Sequence, residues 1–202
     1  NGLGVFMKID DGTGQGFQGK VDGNHRLHTQ AITETESLNS AELGLAYNVS
    51  SGNIAFTGDG TLLYVKNEEE GDIVIEAIAL GNDGGGTYTS SLRPYITFVR
   101  NPTGGDLITD ATAVDFNVNR NFGSTKTLLG DTYKGKQGGT LTGGDSMGIF
   151  QTSQAGRDYF GINIIIPKGS SIAITATNGL ASGTANLYCA AILFLKDPLS
   201  NK

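Results

Sequence analysis

Histidine and cysteine are where a chain most readily finds a base, a nucleophile or a metal ligand, and this sequence holds only His25, His28 and Cys189. The histidines fall in Asn24-His25-Arg26-Leu27-His28. Residues three apart share a helix face but lie on opposite faces of a strand, and residues 19–32 read as extended, so the two are not expected to chelate one ion. With these neighbours as the sole candidate bases, and no Gly-x-Ser-x-Gly elbow, a Ser-His-Asp triad is not expected either. Cys189 has no partner for an internal disulfide and lies in the apolar run from Leu187 to Leu195, which predicts a buried, inert thiol.

Oxygen-rich clusters come next. Asp10-Asp11-Gly12-Thr13-Gly14 and Gly143-Gly144-Asp145-Ser146 place acceptors on flexible backbone, as Ca²⁺ requires, but neither has the spacing of an EF-hand or of a Gly-Asp-rich solenoid. Both read as solvated turns. Gly12-Thr13-Gly14-Gln15-Gly16 lacks the Gly-Lys-Ser/Thr and the following helix of a phosphate loop. Glu68-Glu69-Glu70 reads as a solvated hairpin tip. Any two of the 20 acidic residues could converge as a glycosidase pair, but the chain has no Trp on which a sugar would stack. Asn48-Val49-Ser50 is formally a glycosylation sequon. The residues therefore predict no catalytic, metal or cofactor site, and the chain is expected not to be an enzyme.

The net charge of −6 opposes a phosphate backbone, and no Lys/Arg cluster offsets it, so nucleic acid is not an expected partner. No apolar stretch reaches the roughly 18 residues that span a bilayer, and no basic segment followed by an apolar one marks a signal peptide. A soluble, membrane-free protein is expected, with Met7 a candidate start.

The elements that would carry any site are strands. Short β-branched or aromatic runs occur at 62–65, 73–78, 95–99, 113–118, 147–150, 159–166, 171–176 and 186–195. Turn signals separate them: Gly81-Asn82-Asp83-Gly84, Asn101-Pro102-Thr103-Gly104, Gly138-Gly139, Pro167-Lys168-Gly169 and Asn178-Gly179. The 31 glycines against 4 prolines mark a chain that turns often at positive φ. Pro167-Lys168-Gly169 reads as a type II turn with Gly169 at the positive-φ corner. Residues 34–45 are the one helical candidate, with Thr33 and Glu36 as a capping box. The pattern predicts an all-β antiparallel sandwich, jelly-roll-like, in one domain over residues 19–202, with an extended N-terminal arm or loop over residues 1–18. The near-continuous apolar last strand should be covered on both faces, in mid-sheet or at a subunit contact, so a homo-oligomer is expected.

Segments across most of the chain after Met7 carry a resemblance. They are Gly19-Lys20-Val21-Asp22, Ala46-Tyr47-Asn48-Val49-Ser50-Ser51-Gly52, Leu62-Leu63-Tyr64-Val65-Lys66-Asn67, Arg100-Asn101-Pro102-Thr103-Gly104-Gly105, Asn119-Arg120-Asn121-Phe122-Gly123-Ser124 and Pro167-Lys168-Gly169-Ser170-Ser171-Ile172. Together they resemble small virion structural proteins of tailed bacteriophages. The resemblance implies a jelly-roll-like sandwich that forms trimers on the capsid surface or projects from it, with the major capsid protein as partner. It brings no site motif. Arg100, Asn101, Arg120 and Asn121 are the polar residues of its distinctive segments, suited either to bracing loop backbones or to meeting a partner. The specific expectation is a capsid cement or decoration protein. The rival is a tail-fibre, head-fibre or baseplate adhesin that binds a host glycan through polar loops and Tyr88, Tyr95, Tyr133 and Tyr159.

Overall fold

The structure is a computed structural model. It describes residues 8–9, 17–18, 35–83, 85–88, 95–153, 155–177 and 180–196. The chain divides into two units, Asn1–Glu34 and Thr35–Lys202. In the first unit β1 (Lys8–Ile9) pairs antiparallel with β2 (Phe17–Gln18), and the boundary expected after residue 18 falls inside it. Both six-stranded sheets belong to the second unit.

That unit opens with α1 (Glu36–Glu42), followed by β3 (Ala46–Ser50), β4 (Ile54–Phe56), β5 (Gly60–Lys66), β6 (Ile73–Asn82), β7 (Thr87–Tyr88) and β8 (Tyr95–Arg100). A single turn, α2 (Asp106–Thr109), leads into β9 (Thr112–Ala113), β10 (Phe116–Asn119), β11 (Thr132–Lys134), β12 (Asp145–Gln151) and β13 (Gly156–Ile166). The chain finishes with β14 (Ser171–Thr177), β15 (Leu180–Ser182) and β16 (Ala185–Leu195).

Two antiparallel sheets face each other. The first runs β10-β3-β16-β6-β13, with β4 also on β16; the second runs β12-β8-β14-β5-β11-β9. The partnerships nest: β3 pairs with β16, β5 with β14, β6 with β13 and β8 with β12. Successive pairs alternate strictly between the two sheets. This is one long hairpin wound into a jelly roll, as the sequence predicts.

The pleat explains what fills it. Along β16 the residues Leu187, Cys189, Ala191, Leu193 and Leu195 turn inward and are buried, while Tyr188, Ala190 and Ile192 between them stay half-exposed. Tyr47, Val49, Ile73, Ile75 and Ile78 meet them from the same sheet, and Leu63, Val65, Phe98 and Ile174 from the other. Each outer face carries a small satellite. Leu107 of α2 covers Tyr64 and Ala173 on the second sheet, and Ala41 of α1 covers Ala46, Val74 and Phe194 at one end of the first.

α1 lies within the expected helical segment but is shorter, and its cap is Thr35, whose hydroxyl accepts from the Leu38 amide at 3.2 Å. Thr33, expected in that role, lies outside the described residues. Glu36 occupies the first helical position, so it cannot complete a capping box. The expected strand over 113–118 is two strands in different sheets, β9 and β10.

Glu68-Glu69-Glu70 is not a hairpin tip, because β5 and β6 belong to different sheets. It is a corner between sheets, as is the Pro167-Lys168-Gly169 turn from β13 to β14. Asn67 ties the two corners together. Fully buried, it donates from Nδ2 to the carbonyls of Gly71 (2.9 Å) and Ile166 (2.7 Å), while its Oδ1 accepts from the Glu69 amide at 2.8 Å. Its backbone is bonded to Ser170 and Gly169 across the gap.

In that second corner the Ser170 amide donates to the Pro167 carbonyl at 3.0 Å, and Gly169 has φ +79°, as a type II turn demands. Gly169→Val forces a β-branched residue into the left-handed region. We expect a loss of about 1–3 kcal/mol, read as a lower thermal midpoint; an unchanged midpoint would contradict the turn.

Candidate functional site

Register places unusual residues on the outer face of the first sheet. Directly opposed residues of an antiparallel pair project to the same side. One row across the sheet therefore reads Phe116, Ser50, Ala190, Ala79, Tyr159, and the next reads Val118, Asn48, Ile192, Ala77, Gly161. Neither row contains an acid, a lysine or an arginine. Phe116 is 58% exposed, Val118 48% and Tyr159 64%. The floor between them is small at Ser50, Ala190, Ala79 and Ala77 and is raised at Asn48 and Ile192, with Phe116 and Val118 at one end of this shallow tray and Tyr159 at the other. Charge appears only beyond the rows. Arg157 lies opposite Gly81 on one side, and on the other Glu76 accepts from the Ser37 hydroxyl at 2.8 Å and sits 3.5 Å from Arg120.

The tray continues around β13 onto the edge of the sandwich. β12 and β13 are the terminal strands of their sheets, and Phe150 meets Phe160 across the gap with ring centroids 5.7 Å apart, edge to face. Two clefts open along this seam. One of about 180 Å³ is lined by Phe98, Met147, Phe150, Ile162 and Ile164, and one of about 250 Å³ by residues including Met147, Ile165, Pro167 and Arg100. Natural edge strands are usually guarded by lysine or proline. Neither β12 nor β13 contains either residue, and only their bulges interrupt the ladder.

Neither surface stands out in the amino-acid sequence. β13 alternates Tyr159, Gly161, Asn163 and Ile165 outward with Phe160, Ile162 and Ile164 half-buried. Apolarity on both faces was the available signal, as it was for the last strand. Phe116 and Val118 alternate with Asn117 and Asn119, a pattern that sequence alone assigns to a core, and here the apolar pair faces out.

The residues singled out by chemistry do not converge. His25, His28, Asp10, Asp11 and Gly12 through Gly16 lie outside the described residues, as does the Asn178-Gly179 turn. Among the described residues no group of three or more His, Cys, Asp or Glu is placed to hold a metal. Asp145 is bonded to the Arg100 guanidinium at 2.8 Å, and Lys66 and Lys168 pair with Glu68 and Glu70. Asn101 accepts from the Ser171 amide at 2.8 Å, and Asn121 donates to the Glu42 carbonyl at 2.9 Å, so both brace loops. Asn48 is exposed in the middle of the tray.

Of the tyrosines named above, Tyr95, Tyr133 and Tyr159 sit on β8, β11 and β13, in two different sheets, and form no common platform. Nothing is described of the Tyr88 side chain. Tyr133 stacks on Tyr64 with centroids 5.6 Å apart. Burial, with the Asp131 carboxylate beside it, pushes its hydroxyl pKa up to about 12, so it stays neutral through the physiological range.

Cys189 is fully buried in β16, and burial pushes its thiol pKa well above the ordinary value. A thiol reagent such as Ellman's should leave the native protein unmodified over a period in which the urea-unfolded chain reacts fully. Rapid native labelling would contradict the burial.

No protein-family model matches the sequence, and no curated protein matches it. Among solved structures the chain is similar to one described as the cyanophage Pam1 capsid asymmetric unit. The identity is 17% and the TM-score 0.30, over 87% of this chain and 97% of that one.

Proposed function

We propose that this protein is a bacteriophage virion structural protein, and specifically a capsid cement or decoration protein that binds the assembled shell as a homo-oligomer, a trimer. It works by adhesion and turns over no substrate. The carrying observation is the uncharged tray with its adjoining seam. A large exposed apolar surface on a small domain marks a place to be covered by protein. The resemblance of the loop segments to phage virion proteins supplies the setting.

Cement benefits from having several weak contacts on one body. Once one arm of a trimer is seated, the others bind at high effective concentration, and avidity can rise by about 10² to 10⁴ without any stronger contact. A jelly roll suits this role, since its two sheets hold each other rigid and leave the outer surfaces free for contact.

The test is add-back. Shells prepared without the protein should bind it saturably in a pelleting assay and then break open at a higher temperature. Absence of co-sedimentation would reject cement. The adhesin reading gains nothing from the tyrosine placement among the described residues, and a glycan array with purified protein would revive it only by showing specific binding.

A further inference from the structure

We propose that the polar cleft beyond the tray, between Tyr188 and Arg157, is a binding site for an acidic saccharide, a sugar ring that carries a carboxylate. The inference goes beyond the cement reading and does not depend on it.

Register builds the site. Tyr188 of β16, Gly81 of β6 and Arg157 of β13 are directly opposed across three neighbouring strands, so all three face outward, in the row beyond Ala190, Ala79 and Tyr159. Gly81 is required there: a Cβ would fall 1.7 Å from Cε1 and 1.9 Å from Cζ of the Tyr188 ring. The half-exposed ring therefore leans across β6 toward the exposed Arg157. Beside it opens a cleft of about 300 Å³, whose walls also include Asn53, Asp83 and Asn186. Such a volume is at the lower end of small-molecule sites.

The groups already committed and those left free define the ligand. Asp83 Oδ1 accepts from the amides of Gly85 at 2.9 Å and Asn186 at 2.8 Å, and its Oδ2 accepts from Asn186 Nδ2 at 2.5 Å. Asp83 is thus a brace that fixes Asn186 in the wall. Among the described residues, neither the Arg157 guanidinium nor the Tyr188 hydroxyl has a partner. A free guanidinium is a planar fork that receives a carboxylate through two hydrogen bonds. The tyrosine ring offers an apolar face with a polar tip, which suits the C–H side of a sugar and one of its hydroxyls. The amides of Asn53 and Asn186 supply the mixed donors and acceptors that further hydroxyls need.

A phosphate fits less well. Its second negative charge would face the Asp83 carboxylate on the same wall and a chain whose net charge is already −6.

The test is an array of oligosaccharides ending in uronic or sialic acid, each beside its neutral counterpart, probed with the purified full-length chain. Acidic members should bind and their neutral counterparts should not. Arg157→Gln removes the fork and should weaken that binding about tenfold or more. Tyr188→Ala should weaken it on the same members, and Tyr188→Leu replaces it if the alanine variant loses its native circular dichroism. Lys168→Gln makes the same change of charge after the far end of β13 and should bind like the unaltered protein. No binding to any acidic member, equal binding to the neutral counterparts, or full binding by Arg157→Gln would overturn the site. An equal loss in Lys168→Gln would overturn it too, by reducing the effect to overall charge. The add-back assay reports on cement separately, so either reading can fail without the other.

Discussion

Phe98→Ala should lower the unfolding free energy by about 3–5 kcal/mol and the thermal midpoint by about 10 °C. Phe98 is 1% exposed and lies edge to face with Phe150, their centroids 5.0 Å apart; Phe150 in turn meets Phe160. This aromatic series runs from β8 through β12 to β13, so it joins the second sheet to the first on the side where the sandwich gapes. Truncation removes burial and both sheets' grip on Phe150, and the adjoining cleft gives the remaining side chains nothing with which to refill the space. Urea titration should show the midpoint falling with little change in slope. A loss below 1 kcal/mol would mean that the seam collapses onto the cavity, and the seam described above would then not be a firm surface.

Asn67→Asp should cost about as much, for a different reason. The amide nitrogen of Asn67 donates to two carbonyls in a fully buried site, and a carboxylate would turn oxygen toward both. Two hydrogen bonds are lost, carboxylate oxygens are set against two carbonyl oxygens, and a charge is buried, which together come to about 3–5 kcal/mol. Burial raises the folded-state pKa of the new acid above its unfolded value. The deficit relative to wild type should therefore shrink as the pH falls and the acid takes up a proton. Matched urea titrations at neutral and mildly acidic pH measure this. A deficit independent of pH would indicate that the corner opens and solvates the side chain.

Both predictions depend on how the sheets are joined, and the sequence is silent there. The strands themselves were legible: β5, β6, β8, β13, β14 and β16 fall where β-branched runs alternate between turn residues, and Gly169 takes the conformation its turn requires. β3 was not identified as a strand, because five residues give too short a run for the alternation of Tyr47 and Val49 to stand out. The corner at Glu68 reads locally like any hairpin tip. Only the pairing of β5 with β14, more than a hundred residues away, makes it a crossing between sheets.

The candidate interaction surface was hidden for a related reason. Alternation separates inside from outside only when the outside is polar. On β10 and β13 it is not, so Phe116 and Tyr159 carry the same signal as a buried residue. Asn67 was equally hidden, since an asparagine before an acidic turn looks like solvent-facing punctuation until Ile166 and Ser170 close over it.

The most direct test of the central claim, that this is a protein which coats a capsid, is cryo-electron microscopy of the phage particle that carries it. The account predicts jelly-roll density at regular positions on the outer shell, in clusters of three, seated on the major capsid protein. Density confined to the tail tip, or a shell bare of it, would contradict the account.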